Sequence, residues 1–199
     1  MSLHTARECI AYQGQAEILG WIDDRTLLVN GNTLVTGTDS FALDAMSDHY
    51  LVAYPRGGKL FASLDLESGW LLSEDAGPIP SAFMRSTSVS YQAFVASHTS
   101  NGKIEVHSCD GSKWSTEEIP TDPDVIAEFP NIIGDLGNRL WVAWKEKPRS
   151  GGTYSIGIAS YENDTWVVWP LKLSGADPSL AFDGKYLLCG RQNRWSTYV

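Results

Sequence analysis

The stretch Arg139-Leu-Trp-Val-Ala-Trp-Lys145 decides the fold, together with the two segments that follow it. All three are rich in aromatic, aliphatic and small residues, the later two being Tyr154-Ser-Ile-Gly-Ile-Ala-Ser160 and Thr165-Trp-Val-Val-Trp169. Such residues fit a pleated, half-buried surface, and the connections between the segments hold turn-forming Gly, Asn and Asp. The three segments therefore predict three consecutive antiparallel strands.

Weaker copies of this unit occur before and after it. The second strand of each unit holds a small residue, and these residues are Ala53, Ala96, Ala143 and Cys189, spaced 43, 47 and 46 residues apart. A period of about 40–50 residues with several strands per unit is typical of propeller blades, which pack face to face where space near the axis is tight. The sequence predicts an all-β fold. It favours a small β-propeller over a β-sandwich of evenly spaced hairpins.

The repeat divides residues 1–199 into units of one propeller domain, at about 6–37, 41–78, 79–123, 125–175 and 176–199. The last unit holds three strands, whereas the N-terminal segment offers spare ones. We therefore expect Ala6–Tyr12 to pair with Trp195–Tyr198 and close the ring. The blades number five if residues 16–37 form a short blade, which we prefer, or four if they complete the last one. No sustained 3.6-residue periodicity predicts a helix.

Two short pairs mark tight hairpin turns. Asn30-Gly31 and Gly57-Gly58 each separate two strand-like segments by two residues. Both central positions of such a turn need a positive φ, which Gly and Asn adopt readily.

The composition is that of a globular protein with an acidic surface. The net charge of −9 argues against binding to nucleic-acid phosphates or to an anionic membrane surface, both of which need clustered Lys and Arg. No apolar run is long enough for a membrane span, and the N-terminus lacks the apolar segment of a signal peptide. The three scattered cysteines form no disulfide framework and fit a reducing compartment such as the cytoplasm.

One local motif, Ser108-Cys-Asp-Gly-Ser-Lys-Trp114, resembles a shortened Asp-box, the turn S-x-D-x-G-x-T-W of sialidases and other propellers. One residue is missing between Asp and Gly, and Lys stands where Thr is usual. Looser versions are Ser160–Trp166 and Leu64–Trp70. The resemblance implies a propeller fold, a carboxylate that accepts backbone N–H groups, and a Trp packed between strands. It implies no catalysis, because these turns lie away from the sialidase centre.

A set of basic residues follows the second strand of each unit, where propeller loops emerge on one face. A ring of such side chains could hold a carboxylate or another anion. The alternative is a set of solvated turns. The members are Arg56, His98, Lys145 and Arg191, and Arg149 lies in the adjoining long loop.

Two tryptophans of the deciding stretch lie at odd separation, so they face opposite sides of their strand. One can be core while the other is free to stack on a ligand, and Trp144 is included among the candidate ligand-binding residues.

No catalytic or metal-ligating constellation stands out. The four histidines lack metal-ligand spacing, and there is no nucleophile elbow or phosphate-cradling loop, so no cofactor is expected. The favoured function is a non-catalytic, lectin-like module that binds a carbohydrate, and the basic positions favour an acidic glycan. The alternatives are a sialidase-like glycoside hydrolase and a protein-interaction scaffold.

Overall fold

The computed structural model confirms that the chain is all-β, with strands and no helix among the residues it describes. The described backbone comprises residues 8–13, 16–46, 49–67, 69–86, 90–137, 139–191 and 194–198. The side chains of these residues are described except at 8–17, 86, 172, 191 and 194–198. Within this part of the chain, nothing forms a helix long and apolar enough to cross a membrane.

Nineteen strands follow one another along the described chain, and most connections between them are short. In chain order they are β1 Glu8–Gln13, β2 Ala16–Asp23, β3 Thr26–Val29, β4 Asn32–Thr36, β5 Ala42–Met46, β6 His49–Arg56, β7 Lys59–Leu64, β8 Trp70–Ser73, β9 Ser81–Ser86, β10 Tyr91–His98, β11 Ile104–Cys109, β12 Trp114–Ile119, β13 Val125–Gly134, β14 Leu140–Pro148, β15 Ser155–Glu162, β16 Thr165–Ser174, β17 Ser179–Phe182, β18 Leu187–Arg191 and β19 Arg194–Tyr198.

The strands form five separate antiparallel sheets, each built from one consecutive segment. Sheet 1 is β1–β4, sheet 2 is β5–β8, sheet 3 is β9–β12, sheet 4 is β13–β16, and sheet 5 holds the three strands β17–β19. The first strands of successive sheets lie side by side, β1 against β5, β5 against β9, β9 against β13 and β13 against β17.

The two predicted hairpin turns are confirmed. Asn30 and Gly31 have φ values of 50° and 81°, and Gly57 and Gly58 have 59° and 76°. In the first turn Val29 faces Asn32 across the hairpin. Both pairs therefore adopt the left-handed conformation that a two-residue hairpin requires.

The core consists of layers between neighbouring sheets. The layer between sheets 3 and 4 contains Phe94 and Ala96 on one side and Val142 and Trp144 on the other. The other layers are built in the same way from alternate residues of each strand. A strand whose two faces meet different sheets must be apolar on both, as the buried run Leu51–Pro55 is.

All four small residues of the repeat are fully buried, but one of them lies on the other face of its sheet. Ala53 and Ala96 pack toward the following sheet, as does Ala143, which meets sheet 5. Cys189 instead packs back toward sheet 4. The residue of sheet 5 equivalent to Ala143 is therefore Gly190, and the predicted alignment at Cys189 is wrong by one residue, which reverses the face of every side chain on that strand.

The predicted pairing of the chain ends is also wrong. Glu8–Gln13 pairs with Ala16–Asp23 as the first strand of sheet 1, and Arg194–Tyr198 pairs with β18. The N-terminal segment has enough strands for a complete four-stranded sheet of its own. It therefore contributes no fourth strand to sheet 5 in the described part of the chain.

Gly157 permits the close packing of sheet 4. It lies opposite Trp144 in the register of β14 and β15. A Cβ at this position would collide with the Trp144 indole and lie 2.5 Å from Glu146 Oε1.

We expect Gly157→Ala to lower the free energy of unfolding by about 1–3 kcal/mol, the usual cost of overpacking a core. Gly137→Ala, at an exposed turn with a negative φ, should cost less than about 0.5 kcal/mol. Urea titrations of the two variants and the parent protein measure both values. Equal midpoints for all three would contradict the close contact.

Candidate functional site

The basic residues predicted to form a ring differ in their surroundings. His98 and Lys145 both contact Phe129. The His98 ring meets Phe129 edge-on at a centroid distance of 5.4 Å, and Lys145 Nζ lies 4.7 Å from the Phe129 centroid. Lys145 also forms an ion pair with Glu128 at 3.0 Å.

His98 differs from the exposed basic candidates in its burial. Its side chain is buried, and the backbone N–H of Phe129 donates to Nδ1 at 3.4 Å. Burial lowers the pKa of His98 below its ordinary value. Burial thus favours the neutral imidazole, which accepts a hydrogen bond here, and a role of His98 in binding an anion stays a prediction.

The remaining basic candidates lie apart from this pair. Arg56 is exposed at the end of β6, in sheet 2. Arg149 holds two neighbouring loops, donating to Pro123 O at 3.0 Å and to Asn101 O at 2.8 Å. The side chain of Arg191 lies outside the described residues, and the one-residue shift at Cys189 removes its equivalence with Lys145. The structure thus brings together two of the five basic candidates and gives three of them structural partners.

The two tryptophans of β14 divide as their odd spacing predicts. Trp144 is fully buried and donates Nε1–H to Glu146 Oε1 at 3.1 Å, whereas Trp141 is half-buried. Because Trp144 has no exposed surface, this geometry gives no support to its predicted contact with a ligand. Of the two rings, Trp141 is the one with exposed surface.

A groove of about 440 Å³ lies between sheets 4 and 5 around Trp141, and we call it the sheet 4–5 groove. The Trp141 and Trp169 rings lie 5.7 Å apart at an angle of 32°. Trp169 donates Nε1–H to Ser160 Oγ at 2.9 Å, and Trp141 donates Nε1–H to Asp135 Oδ2 at 3.1 Å. These hydrogen bonds fix the orientation of two aromatic faces in an open groove.

Two cations line the same groove. The Arg139 guanidinium lies 5.5 Å from the Trp141 ring centroid, and Lys185 comes from the opposite sheet. Arg139 also meets Glu162 at 3.3 Å. The carboxylate of Asp135 is occupied by the Trp141 indole and by the backbone N–H groups of two residues in its own turn. The groove therefore offers a positive charge, from Lys185, beside two ordered tryptophan rings.

A second groove, of about 400 Å³, lies between sheets 3 and 4, and we call it the sheet 3–4 groove. The Arg85 guanidinium lies 5.0 Å from the Phe94 ring centroid and donates Nε–H to Gln92 Oε1 at 2.7 Å. The Tyr161 hydroxyl donates to Glu117 Oε1 at 3.2 Å across the groove. Trp166 is buried in the groove wall.

The two grooves are built from equivalent positions of the repeat. Phe94 and Trp141 are 47 residues apart, as are Leu140 and Leu187. The first residue of each pair lines the sheet 3–4 groove, and the second lines the sheet 4–5 groove. The strand registers extend the correspondence to the outer strands. Val106 faces Glu117 in sheet 3, and Ile158 faces Trp169 in sheet 4. Both grooves thus carry an aromatic ring at one position with an arginine beside it.

The turns that resemble Asp-boxes are local and structural. Asp110 Oδ1 accepts hydrogen bonds from the Ser112 and Lys113 backbone N–H groups at 3.1 and 3.3 Å and from Ser112 Oγ at 2.9 Å. These contacts lower the pKa of Asp110, the Ser112 hydroxyl having the largest effect. Trp70, Trp114 and Trp166 pack against the sheet layers, as expected for this type of turn.

A further cavity, of about 410 Å³, lies where the first strands and entry loops of sheets 2 to 5 meet. Its walls include Phe129, Pro130 and Asn131. Asp177 is the one ionisable residue among its described lining residues. Elsewhere in the described chain, no group of three or more His, Cys, Asp or Glu residues is placed to hold a metal ion.

Sequence reasoning missed Trp169, Arg139, Lys185, Arg85 and Glu117 as groove residues. A signal was present, because the 47-residue step that relates Ala96 to Ala143 also relates Phe94 to Trp141. The partners across each groove come from another repeat, however, and the period does not show which faces of two sheets will meet.

No family model matches the chain, and no curated protein matches it, so the Asp-box resemblance has no support beyond the residues themselves.

Solved structures do resemble the chain. One is the SapL1 lectin in complex with alpha methyl fucoside, which has 11% identity and a TM-score of 0.60, with 96% of this chain and 78% of that chain covered. Another is an endo-arabinase from Bacteroides thetaiotaomicron, with 12% identity, a TM-score of 0.53, and coverage of 99% and 93%.

A third is a chain of an S. cerevisiae complex that contains Dbp5, Nup159 and Gle1, with 8% identity and a TM-score of 0.55. The alignment covers 96% of this chain and 59% of that one. At such identities the likeness concerns the fold alone. The lectin and the arabinase have propeller-type folds, and this chain resembles them in fold.

Proposed function

We propose that the protein is a five-bladed β-propeller and a non-catalytic carbohydrate-binding module, with a binding site for an acidic sugar in the sheet 4–5 groove. The observation that carries the proposal is the ordered pair of Trp141 and Trp169 rings beside Lys185 in an open groove. Five successive sheets with adjacent first strands support the blade number. The fold similarity to a lectin solved with a fucoside supports the ligand class.

The chemistry of the groove suits a pyranose ring. The C–H face of a sugar is apolar and packs on an aromatic ring, while its hydroxyl groups need hydrogen-bonding partners at the edges. Trp169 and Trp141 supply the faces. Lys185 supplies a cation for a carboxylate, in a chain whose net charge of −9 otherwise repels anions. A uronic acid combines these features.

The alternative function is a glycoside hydrolase, and the lining of the cavity beside Asp177 and Pro130 does not favour it. A sialidase-like hydrolase needs converging arginines, an acid and an activated tyrosine, and the described lining of that cavity provides the acid Asp177 without an arginine or a tyrosine. The sheet 4–5 groove provides Asp135, whose two oxygens already accept hydrogen bonds from its own turn and from Trp141. Binding without turnover is therefore the function that this geometry supports best.

Isothermal titration with tri-galacturonate tests the proposal. We expect Trp169→Ala to weaken binding by about 10–100-fold, the loss typical of an aromatic anchor at a binding site. Lys185→Ala should weaken binding by about 10-fold, and raised salt should also weaken galacturonate binding by the parent protein. Lys113→Ala, which removes an equally exposed lysine from the sheet 3–4 groove, is the matched control and should bind as the parent does.

Two outcomes would contradict the proposal. One is an absence of heat with tri-galacturonate at millimolar concentration. The other is binding that Trp169→Ala leaves unchanged. Release of galacturonate from the trimer during the titration would instead indicate a hydrolase.

A further inference from the structure

The sheet 3–4 groove is lined by positions equivalent to those of the sheet 4–5 groove but carries different polar groups. We propose that it is a second carbohydrate site, and that it takes an uncharged sugar through Glu117 and Arg85. This inference rests on the proposed function, because the groove is identified by its equivalence to the first one. The chain would then bind two chemically different sugars through one type of groove.

Because the two grooves are lined by equivalent positions, their polar residues can be compared one by one. The outer strand presents Glu117 where the next sheet presents Trp169. On the neighbouring strand pair, Gln92 and Arg85 face each other, and at the equivalent place in sheet 4 the Asp135 backbone N–H donates to Arg139 O. The arginine thus lies on the other strand but still stacks on the equivalent ring, Phe94 instead of Trp141. Both grooves therefore have a guanidinium stacked on the aromatic ring, although the two arginines come from different positions of the repeat.

The charges of this groove balance. Arg85 and Lys113 face Asp110 and Glu117 among the lining residues, whereas the sheet 4–5 groove holds two cations and one carboxylate. A ligand with a net charge gains nothing from a neutral groove and loses hydration on entering it. An uncharged ligand with many hydroxyl groups is therefore the better fit.

The groups in the groove match vicinal hydroxyls. A carboxylate such as Glu117 accepts two hydroxyl hydrogens, and a guanidinium donates to the oxygens of adjacent hydroxyls. Tyr161 holds Glu117 Oε1 at 3.2 Å, and Gln92 holds Arg85 Nε. Both charged groups are therefore positioned before a ligand arrives. The apolar surface beside them comes from Phe94, Val106, Leu140 and Trp166.

The indole N–H of Trp166 is a further feature of this groove. It is buried and has no hydrogen-bond partner among the described residues. The nitrogen itself has almost no accessible surface, but the indole ring lies in the groove wall, so a ligand that packs there should change the surroundings of its N–H. The Trp166 indole is thus also a natural reporter of binding.

Nitrogen-15 NMR of the tryptophan indoles tests the inference on the intact chain. Single Trp→Phe variants assign the signals of Trp141, Trp166 and Trp169. The probes are tri-galacturonate and a panel of neutral methyl glycosides, those of fucose, galactose, mannose and arabinose. We expect at least one neutral glycoside to shift the Trp166 signal with saturation, and tri-galacturonate to shift Trp141 and Trp169.

Variants complete the test. Glu117→Gln should weaken the neutral response by at least 10-fold and leave the galacturonate response unchanged. Glu118→Gln is the matched control, because Glu118 is the next residue of β12 and is paired with Lys103 instead of lining the groove. It should leave both responses unchanged.

The outcomes separate the two claims. A galacturonate response at Trp141 and Trp169 without any neutral response at Trp166 would overturn this inference and leave the proposed function standing. A response to neither probe would overturn both. A neutral response that persists unchanged in Glu117→Gln would overturn the assignment of the second site.

Discussion

Replacing Trp144 with Ala is expected to lower the free energy of unfolding by about 3–5 kcal/mol, the usual cost of truncating a large buried side chain. Trp144 is among the largest fully buried side chains and packs in the layer between sheets 3 and 4. Its removal also deprives Glu146 of a hydrogen bond, and Glu146 is itself buried, with Ser155 as its other described partner.

Trp141→Ala is the matched control for this prediction, since the two tryptophans lie three residues apart on one strand. Trp141 is half-buried, so its loss should cost markedly less stability while weakening galacturonate binding. Denaturant titration and calorimetry on both variants separate the two effects. Equal losses of stability, or unimpaired galacturonate binding in Trp141→Ala, would contradict the assignment of one ring to the core and the other to the groove.

The second large effect concerns pH. His107 is fully buried, and its ring hydrogen-bonds with Thr116 Oγ1 at 2.8 Å through Nδ1 and with Ser97 Oγ at 3.2 Å through Nε2. Burial lowers the pKa of His107 from 6.5 to about 4. Between pH 6.5 and 4, His107 is therefore protonated in the unfolded chain and neutral in the folded protein.

The stability that neutral His107 contributes is therefore fully present above pH 6.5 and is lost as the pH falls toward 4. The loss is about 3 kcal/mol if the whole shift is expressed. Glu105, whose Oε2 lies 3.7 Å from His107 Nε2, opposes it in part. Burial raises the pKa of Glu105, so its protonation on acidification favours the folded state.

Thermal unfolding of the parent protein and of His107→Gln between pH 7.5 and 4 measures this effect. Glutamine can form hydrogen bonds but does not titrate, so the curve of the variant should be flatter over this range by about the same amount. The comparison cancels the titration of the groups that do not contact His107. Parallel curves for the two proteins would show that His107 does not control the acid sensitivity.

The fold could be predicted from local patterns because each sheet is made from one consecutive segment. Alternating side chains and two-residue turns such as Asn30-Gly31 are local signals, and they place the strands well. The face of a strand is a weaker signal. The small side chain of Cys189 can pack in either layer, so no local pattern reveals the one-residue error in its alignment. The same error made Arg191 look equivalent to Lys145.

The site was harder to predict because it depends on which sheet faces meet. The spacing of Trp141 and Trp144 shows that they diverge, but the choice of the buried one depends on the opposite sheets. A layer filled by Phe94 and Val106 closes around Trp144, whereas the shorter sheet 5 leaves Trp141 at an open edge. The basic residues after the second strands were visible in the sequence, but the sequence does not show that Lys145 pairs with Glu128 or that Arg149 binds two loop carbonyl groups.

A crystal structure of the protein soaked with galacturonate tests the central claim most directly. We expect sugar density in the sheet 4–5 groove, with the sugar ring against Trp141 or Trp169 and the carboxylate beside Lys185. Density confined to the cavity beside Asp177 and Pro130, or a sugar that leaves both tryptophans untouched, would contradict it.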